Sequence, residues 1–261
     1  MTIINKYRNF LFQTKNLNFD SYSKLHDWSI NYQEEFWISI IDFFKIKFSK
    51  QNRGFHLDND KFYNSQWFYD STLSYSENIF NSYSDEIPAI KYQSEEKELV
   101  SISWNALKAK TLEFQKLLLS NNISKGDRVV AYCGNTPETI AAFLATNSLG
   151  AIWSSCSPDF GYDAVNERFE IIKPKFIFFH SSYSYNGKIF SLQPKVDRII
   201  KNINSIKHSI DLNLHKNFNE INNSVQLKFS SVNFNHPIWI LFSSGTTGKP
   251  KAIVHRTGGI I

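Results

Sequence analysis

Two hydrophobic rhythms divide the chain. From Glu34 to Phe48 (EEFWISIIDFFKIKF) apolar residues recur at helical spacing, with Phe36, Ile40, Phe43 and Phe44 on one stripe and Trp37, Ile41 and Phe48 beside it. A helix apolar around so much of its girth is expected to be buried on two sides. Polar, turn-rich residues follow, then Trp67-Phe68 and the segment Leu73 to Ile79, in which no chemistry is evident. Near residue 87 the rhythm becomes that of strands. Ile90 and Tyr92 alternate with polar residues, and Val100, Ile102 and Trp104 do so after SEEKE, which predicts a β-hairpin.

Ser103 is placed to cap a helix whose apolar face is Trp104, Leu107, Phe114, Leu117 and Leu118. Asp127 to Cys133 (DRVVAYC) is a continuous apolar run of the kind buried on both faces of a parallel sheet. Thr136-Pro137 opens the next helix in the order N-cap then N1 proline, and Gly150 stops it. A strand at 151–156, a helix over Tyr162 to Ile172 and a strand at 175–180 complete a strand–helix alternation that predicts parallel pairing. Residues 201–235 are Asn-rich and weakly patterned, reading as loops with a fragment of regular structure. Pro237 to Phe242 (PIWILF) is a final strong strand. The fold class is therefore α/β, a mostly parallel sheet flanked by helices, preceded by a helical N-terminal extension. The change of pattern divides the chain into residues 1–83 and 84–261.

Composition narrows the functional classes. The 261 residues carry a formal net charge of +5, which suits anionic ligands, but the lysines are scattered. With no basic block and no recognition-helix pattern, a nucleic-acid partner is not expected. No apolar run reaches the ~18 residues of a membrane span, so no membrane partner is expected. The first nineteen residues hold Lys6, Arg8 and Lys15 without an acid, faintly like a transit peptide, yet lack a signal-peptide core; a cytoplasmic protein is the expectation. Cys133 and Cys156 each sit in an apolar run and read as buried thiols. The seven histidines have no ligand spacing, and no metal site is expected from side chains alone.

The chemistry concentrates at Ser243 to Lys251 (SSGTTGKPK). Gly245 and Gly248 allow positive φ, so successive main-chain N–H groups can face one concavity. Ser243, Ser244, Thr246 and Thr247 add hydroxyl donors, and Lys249 and Lys251 add compact positive charge. Together they can hold a polyphosphate. The pattern is not a Walker loop, because Ser stands at 243 where that motif has Gly and Pro at 250 where it has Ser or Thr. No GxGxxG is present either. Lys251 to His255 (KAIVH) is β-branched and apolar, so the loop is expected to join two strands and to work without a helix dipole. The plain alternative is a Ser/Thr/Gly surface turn.

SSGTTGKPKAIVH resembles the signature of the adenylate-forming enzymes, the acyl-CoA synthetase and luciferase superfamily. The likeness runs over most of the chain. His26 to Ser29 (HDWS), Phe36-Trp37, Trp67-Phe68 and Leu73 to Asn78 (LSYSEN) resemble the N-terminal extension of acetyl- and acetoacetyl-CoA synthetases. Gly150 to Gly161 (GAIWSSCSPDFG), Glu167 to Phe169 and Lys173-Pro174 are similar to the acetoacetyl-CoA synthetase (acetoacetate–CoA ligase) branch.

The resemblance implies an ATP-dependent acid–CoA ligase that forms an acyl-adenylate and passes it to CoA. A short-chain keto acid would be the substrate, and Mg²⁺ would accompany ATP. Ser243 to Lys251 would hold the ATP phosphates, with Thr246, Thr247 and Lys251 at the positions the signature holds most firmly and Lys249 at one the family varies. Tyr183 to Lys188 (YSYNGK) aligns with a segment that touches the CoA nucleotide in acetyl-CoA synthetases; only Gly187 and Lys188 keep its sense, and an Asn-Gly hairpin turn is the alternative. His255 reads as a strand residue orienting the loop, Asp159 as part of a turn, and Arg168 and Glu167 as surface or helix-face contacts. In that family the signature falls before the middle of a longer protein, so the sequence resembles the front part, an N-terminal extension and an incomplete adenylation domain. No catalytic residue is assigned, because the family's catalytic lysine belongs to a C-terminal domain that these residues do not include. Alone, they are expected to leave edge strands such as PIWILF unpaired and to form no thioester. A non-catalytic nucleotide-binding remnant, or a ligase for another short-chain acid such as acetate, remains the alternative.

Overall fold

The computed structural model describes residues 1–56, 58, 61–81, 86–219, 226–243 and 248–261. They fall into two compact units, Met1–Ser71 and Thr72–Ile261. In the first, three helices, α1 (Ile3–Lys15), α2 (Tyr22–Asn31) and α3 (Gln33–Phe44), precede a short antiparallel pair, β1 (Phe55–His56) and β2 (Gln66–Trp67). Thr2 and Ser21 start α1 and α2 by accepting main-chain N–H bonds from Asn5 and Lys24. Tyr7, Leu11, Leu25 and Trp28 form the core, with Phe36, Ile40 and Phe43 of α3 packed on it.

Helix α3 departs from its sequence pattern in two ways. It ends at Phe44, because Lys45 turns left-handed (φ 54°) and its N–H closes back on Ile41 and Asp42. Burial on its second side is only partial: Ile41 is 8% exposed, whereas Trp37 and Phe44 remain 42% and 54% exposed.

The second unit begins with β3 (Thr72–Leu73), α4 (Tyr75–Asn81) and the expected hairpin β4 (Ile90–Tyr92) and β5 (Val100–Ile102). Then follow α5 (Trp104–Ser120), β6 (Arg128–Tyr132), α6 (Pro137–Ser148), β7 (Ile152–Cys156), α7 (Tyr162–Ile172) and β8 (Phe176–Phe179). Ser103 and Thr136 cap α5 and α6 as their sequences require, accepting from the N–H groups of Ala106 and Thr139. Gly150 closes α6 at φ +69°, and a Cβ there would lie 2.9 Å from Val232 Cγ1. A second hairpin, β9 (Ser182–Tyr185) and β10 (Lys188–Ser191), leads to α8 (Gln193–Asn202) and β11 (His208–Asp211); β12 (Val232–Asn233), β13 (Pro237–Ser243) and β14 (Lys251–Arg256) complete the unit.

The central sheet has the order β11-β8-β6-β7-β13-β14. Every pairing is parallel except β13 with β14. Alternate strand residues face opposite layers. Val129, Ala131, Trp153, Phe176 and Phe178 pack with residues of α5 and α6, including Leu107, Phe114 and Phe143. Val130, Tyr132, Ile152 and Ile177 pack with Val165 and Phe169 of α7 and Val196 and Ile199 of α8. The connection from β6 runs through α6 to β7, and the next returns through α7 to β8 on the far side of β6. The strand order therefore reverses between β6 and β8, and a crevice opens beyond the carboxyl ends of β6 and β7.

PIWILF is not an edge. β14 folds back antiparallel and covers β13 on one side while β7 pairs on the other, so the edge strand is β14, KAIVHR. The unpaired-strand liability falls on a segment carrying three cationic or titratable side chains, Lys251, His255 and Arg256, rather than on a wholly apolar one.

Candidate phosphate-binding site

Strand β13 forms because its β-branched and aromatic residues suit a pleated, half-buried surface. It is pinned at mid-length, where the buried Ser154 hydroxyl donates to the Ile240 carbonyl at 2.7 Å. The β13–β14 ladder runs to Ser243 opposite Lys251, so the glycine-rich segment joins two strands as its sequence requires. Ser244, Gly245, Thr246 and Thr247 lie outside the described residues. Their flanks are described. Gly248 has φ +81°, a left-handed conformation that favours glycine, and nothing lies within 4 Å of a Cβ built there. Lys249 and Lys251 are exposed, and among the described residues neither ammonium group is engaged in an ion pair. Ser243 ends β13, half-buried.

The base of this loop is braced by groups that the sequence did not place beside it. Phe242 packs into the α7–α8 layer. The Arg168 guanidinium lies 5.2 Å from the Phe160 ring centroid and 5.9 Å from that of Phe242, and donates to the Ala164 carbonyl at 2.6 Å. Arg168 therefore does make the expected helix-face contact, but it also ties the SPDFG turn to the strand that enters the loop. Asp159 sits in that turn, in keeping with its sequence reading. Tyr132 of β6 donates its hydroxyl to the Phe160 carbonyl at 2.6 Å. Burial, reinforced by nearby Tyr183, Cys156 and Asp159, pushes this phenol up to about 12, so it remains a donor. Only the residue types were visible in sequence; their convergence depends on the crossover through α7.

His180, at the carboxyl end of β8, is a second unanticipated group. It is buried, and its Nδ1 accepts the Gly134 main-chain N–H at 3.1 Å, which places the imidazole proton on Nε2. Burial lowers its pKa to about 4. Cys133 and Cys156 are free, buried thiols, both pushed up to about 12 by burial and therefore unreactive. His255 lies within β14, half-buried and paired opposite Trp239.

Gly187 and Lys188 lie on a different element. Asn186 and Gly187 both take positive φ, 52° and 68°, in the tight turn between β9 and β10, so the hairpin alternative is realised in the backbone. The Gly187 N–H donates to Glu95 at 3.1 Å, and Ser184 bonds to Glu96. Lys188 is exposed. A group of three or more His, Cys, Asp or Glu able to hold a metal ion is absent among the described residues, and no described helix is long and apolar enough to cross a membrane.

Comparison with known proteins adds to this geometry. Residues 80–261 match the family described as AMP-binding enzyme. The chain belongs to the AMP-binding enzyme family. The match takes in the whole sheet and both strands flanking the glycine-rich loop. The chain is 34% identical to the acetoacetyl-coenzyme A synthetase of Rhizobium meliloti (strain 1021), aligned over 94% of this chain and 39% of that protein. It is 34% identical to the acetoacetyl-CoA synthetase of Macaca fascicularis, over 94% and 40%. A solved structure, acetoacetyl-CoA synthetase from Streptomyces lividans, superposes with a TM-score of 0.88 at 28% identity, covering 98% of this chain and 42% of that one. This member of the AMP-binding enzyme family thus spans about two fifths of the length of the relatives it matches.

Proposed function

We propose that the chain is the phosphate-holding part of an acid–CoA ligase that converts acetoacetate, ATP and CoA to acetoacetyl-CoA, AMP and diphosphate. The observation that carries this reading is the β13–loop–β14 arrangement, with two exposed lysines beside a positive-φ glycine that form no ion pair among the described residues, in a chain whose relatives are named for that product.

The chemistry has two displacements. A carboxylate oxygen attacks the α-phosphorus of ATP, the bond to the bridging oxygen breaks, and diphosphate leaves. The CoA sulfur then attacks the acyl carbon and AMP departs. Much of the barrier lies in placing anions against one another and stabilising the leaving diphosphate. In this reading Ser243, Ser244, Thr246 and Thr247 offer hydroxyl donors, and Gly245 and Gly248 bare main-chain amides. Lys249 and Lys251 offset the charge of the β- and γ-phosphates. These groups are cationic or neutral donors, which fits phosphate oxygens and not a metal ion, so Mg²⁺ would arrive on the nucleotide, where it neutralises phosphate charge. Gly187 and Lys188 would meet the CoA nucleotide. The protein would work in the cytoplasm.

Titration calorimetry with ATP tests the site. Lys251→Ala should weaken binding by about tenfold, the value of one charge-assisted contact. Unchanged affinity would overturn the assignment. The acid is tested separately. A polypeptide of the relatives' length carrying this segment should release AMP faster with acetoacetate than with acetate, and the opposite preference would remove acetoacetate from the reading.

A further inference from the structure

The turn of the β9–β10 hairpin already holds a carboxylate. Tyr185 pairs with Lys188, so Asn186 and Gly187 alone make the reversal, both left-handed at φ 52° and 68°. Successive N–H groups in such a turn can face one anion. Here they face Glu95. The Gly187 N–H donates to Glu95 Oε2 at 3.1 Å, and the Gly187 and Asn186 N–H groups hold the exposed Glu95 carboxyl below the usual carboxylate range. Nothing lies within 4 Å of a Cβ built on Gly187, which leaves room at the turn for a group larger than a carboxylate.

The carboxylate comes from a fixed loop on a different element, the connection between β4 and β5. Its Ser94 N–H donates to the Lys97 carbonyl at 3.2 Å, and the Ser94 hydroxyl accepts the N–H groups of Glu96 and Lys97 at 3.3 and 3.1 Å. Beside Glu95, Glu96 meets the Ser184 hydroxyl on β9. Two acids of one loop thus clasp a hairpin that carries Lys188 next to its turn.

We propose that Asn186 and Gly187 form a main-chain anion site with Glu95 as its resident occupant, and that a phosphate of CoA enters by displacing Glu95, an inference that rests on the reading of Gly187 and Lys188 as CoA contacts. A tethered carboxylate is present at high effective concentration, and Glu96 adds like-charge repulsion, so both lower the apparent affinity for an incoming anion. A phosphate brings more charge and more acceptor oxygens than a carboxylate, which lets it compete where a neutral ligand does not.

Titration calorimetry with CoA and NMR of the Gly187 amide test this on the intact chain. Glu95→Ala should shift the Gly187 amide resonance before any ligand is added and tighten CoA binding about two- to fivefold, the range of an exposed charge contact. Glu98→Ala removes the same charge two residues before β5 and should leave CoA affinity as in the parent chain. CoA should move the Gly187 amide of the parent, whereas pantetheine, which lacks phosphate, and inorganic phosphate at the same concentration should not. The inference fails if Glu95→Ala leaves the amide or the affinity unchanged, if Glu98→Ala gains as much, or if either comparison ligand moves the amide as far as CoA does. Lys188→Ala separates the two levels. Weaker CoA binding there, with no gain in Glu95→Ala, removes the competitor and keeps the CoA contact. Unchanged CoA affinity in Lys188→Ala, or no CoA binding to any of these chains, removes both.

Discussion

His180 shows how a single residue can tie stability to pH. Its imidazole is neutral because burial holds its pKa near 4, and the Gly134 N–H is bonded to the lone pair that protonation would take. In the unfolded chain the same group titrates near 6.5. Its contribution is fully present above about 6.5 and is lost as pH falls towards 4, because the unfolded state binds the proton first. The span corresponds to at most roughly 3 kcal/mol. His236, also held down by burial, acts in the same direction. His180→Gln, which keeps an acceptor but does not titrate, should flatten the fall in melting temperature between pH 6.5 and 4.5. A variant as acid-sensitive as the parent would show that His180 does not set it. At this scale the sequence disclosed residue types well, in the serines, threonines, glycines and lysines of the loop. It disclosed partners poorly. His180 meets Gly134 across 46 positions, and Arg168 meets Phe242 through a crossover that no local pattern encodes.

Elements with strong local signals were legible. The hairpin at Ile90–Tyr92 and Val100–Ile102, the Ser103 and Thr136 caps, and the helix over Tyr162–Ile172 form where their patterns place them. Gly150 is an instance whose energy can be tested. An alanine there must adopt φ +69° and bring its Cβ to 2.9 Å from Val232 Cγ1. Left-handed backbone and overpacking together should cost about 2–3 kcal/mol. Gly150→Ala should therefore lower the urea midpoint without changing its slope, and an unchanged midpoint would contradict the cap geometry. Weaker signals were passed over. Helix α1 carries its buried Tyr7 and Leu11 amid mostly exposed residues, and α8 buries only Val196 and Ile199 within a strongly polar segment. Strand β11 is four residues long and depends on β8 alone for its pairing.

For the whole molecule, alternation of strands and helices indicated a parallel sheet but not its order. The reversal between β6 and β8 and the interior place of β13 both follow from that order, because each depends on which strands become neighbours. Sequence placed PIWILF correctly as a strand and wrongly as an edge, since β14 returns antiparallel along it. The same return places the glycine-rich segment between two strands, where the proposed phosphate holder would work without a helix terminus behind it. The central claim is that this holder grips the outer phosphates of ATP. Phosphorus NMR of ATP titrated with the chain tests it most directly. The β and γ resonances should shift and broaden more than the α resonance, and Lys251→Ala should diminish both changes. Perturbation of the α resonance alone, or β and γ changes that persist undiminished in Lys251→Ala, would contradict it.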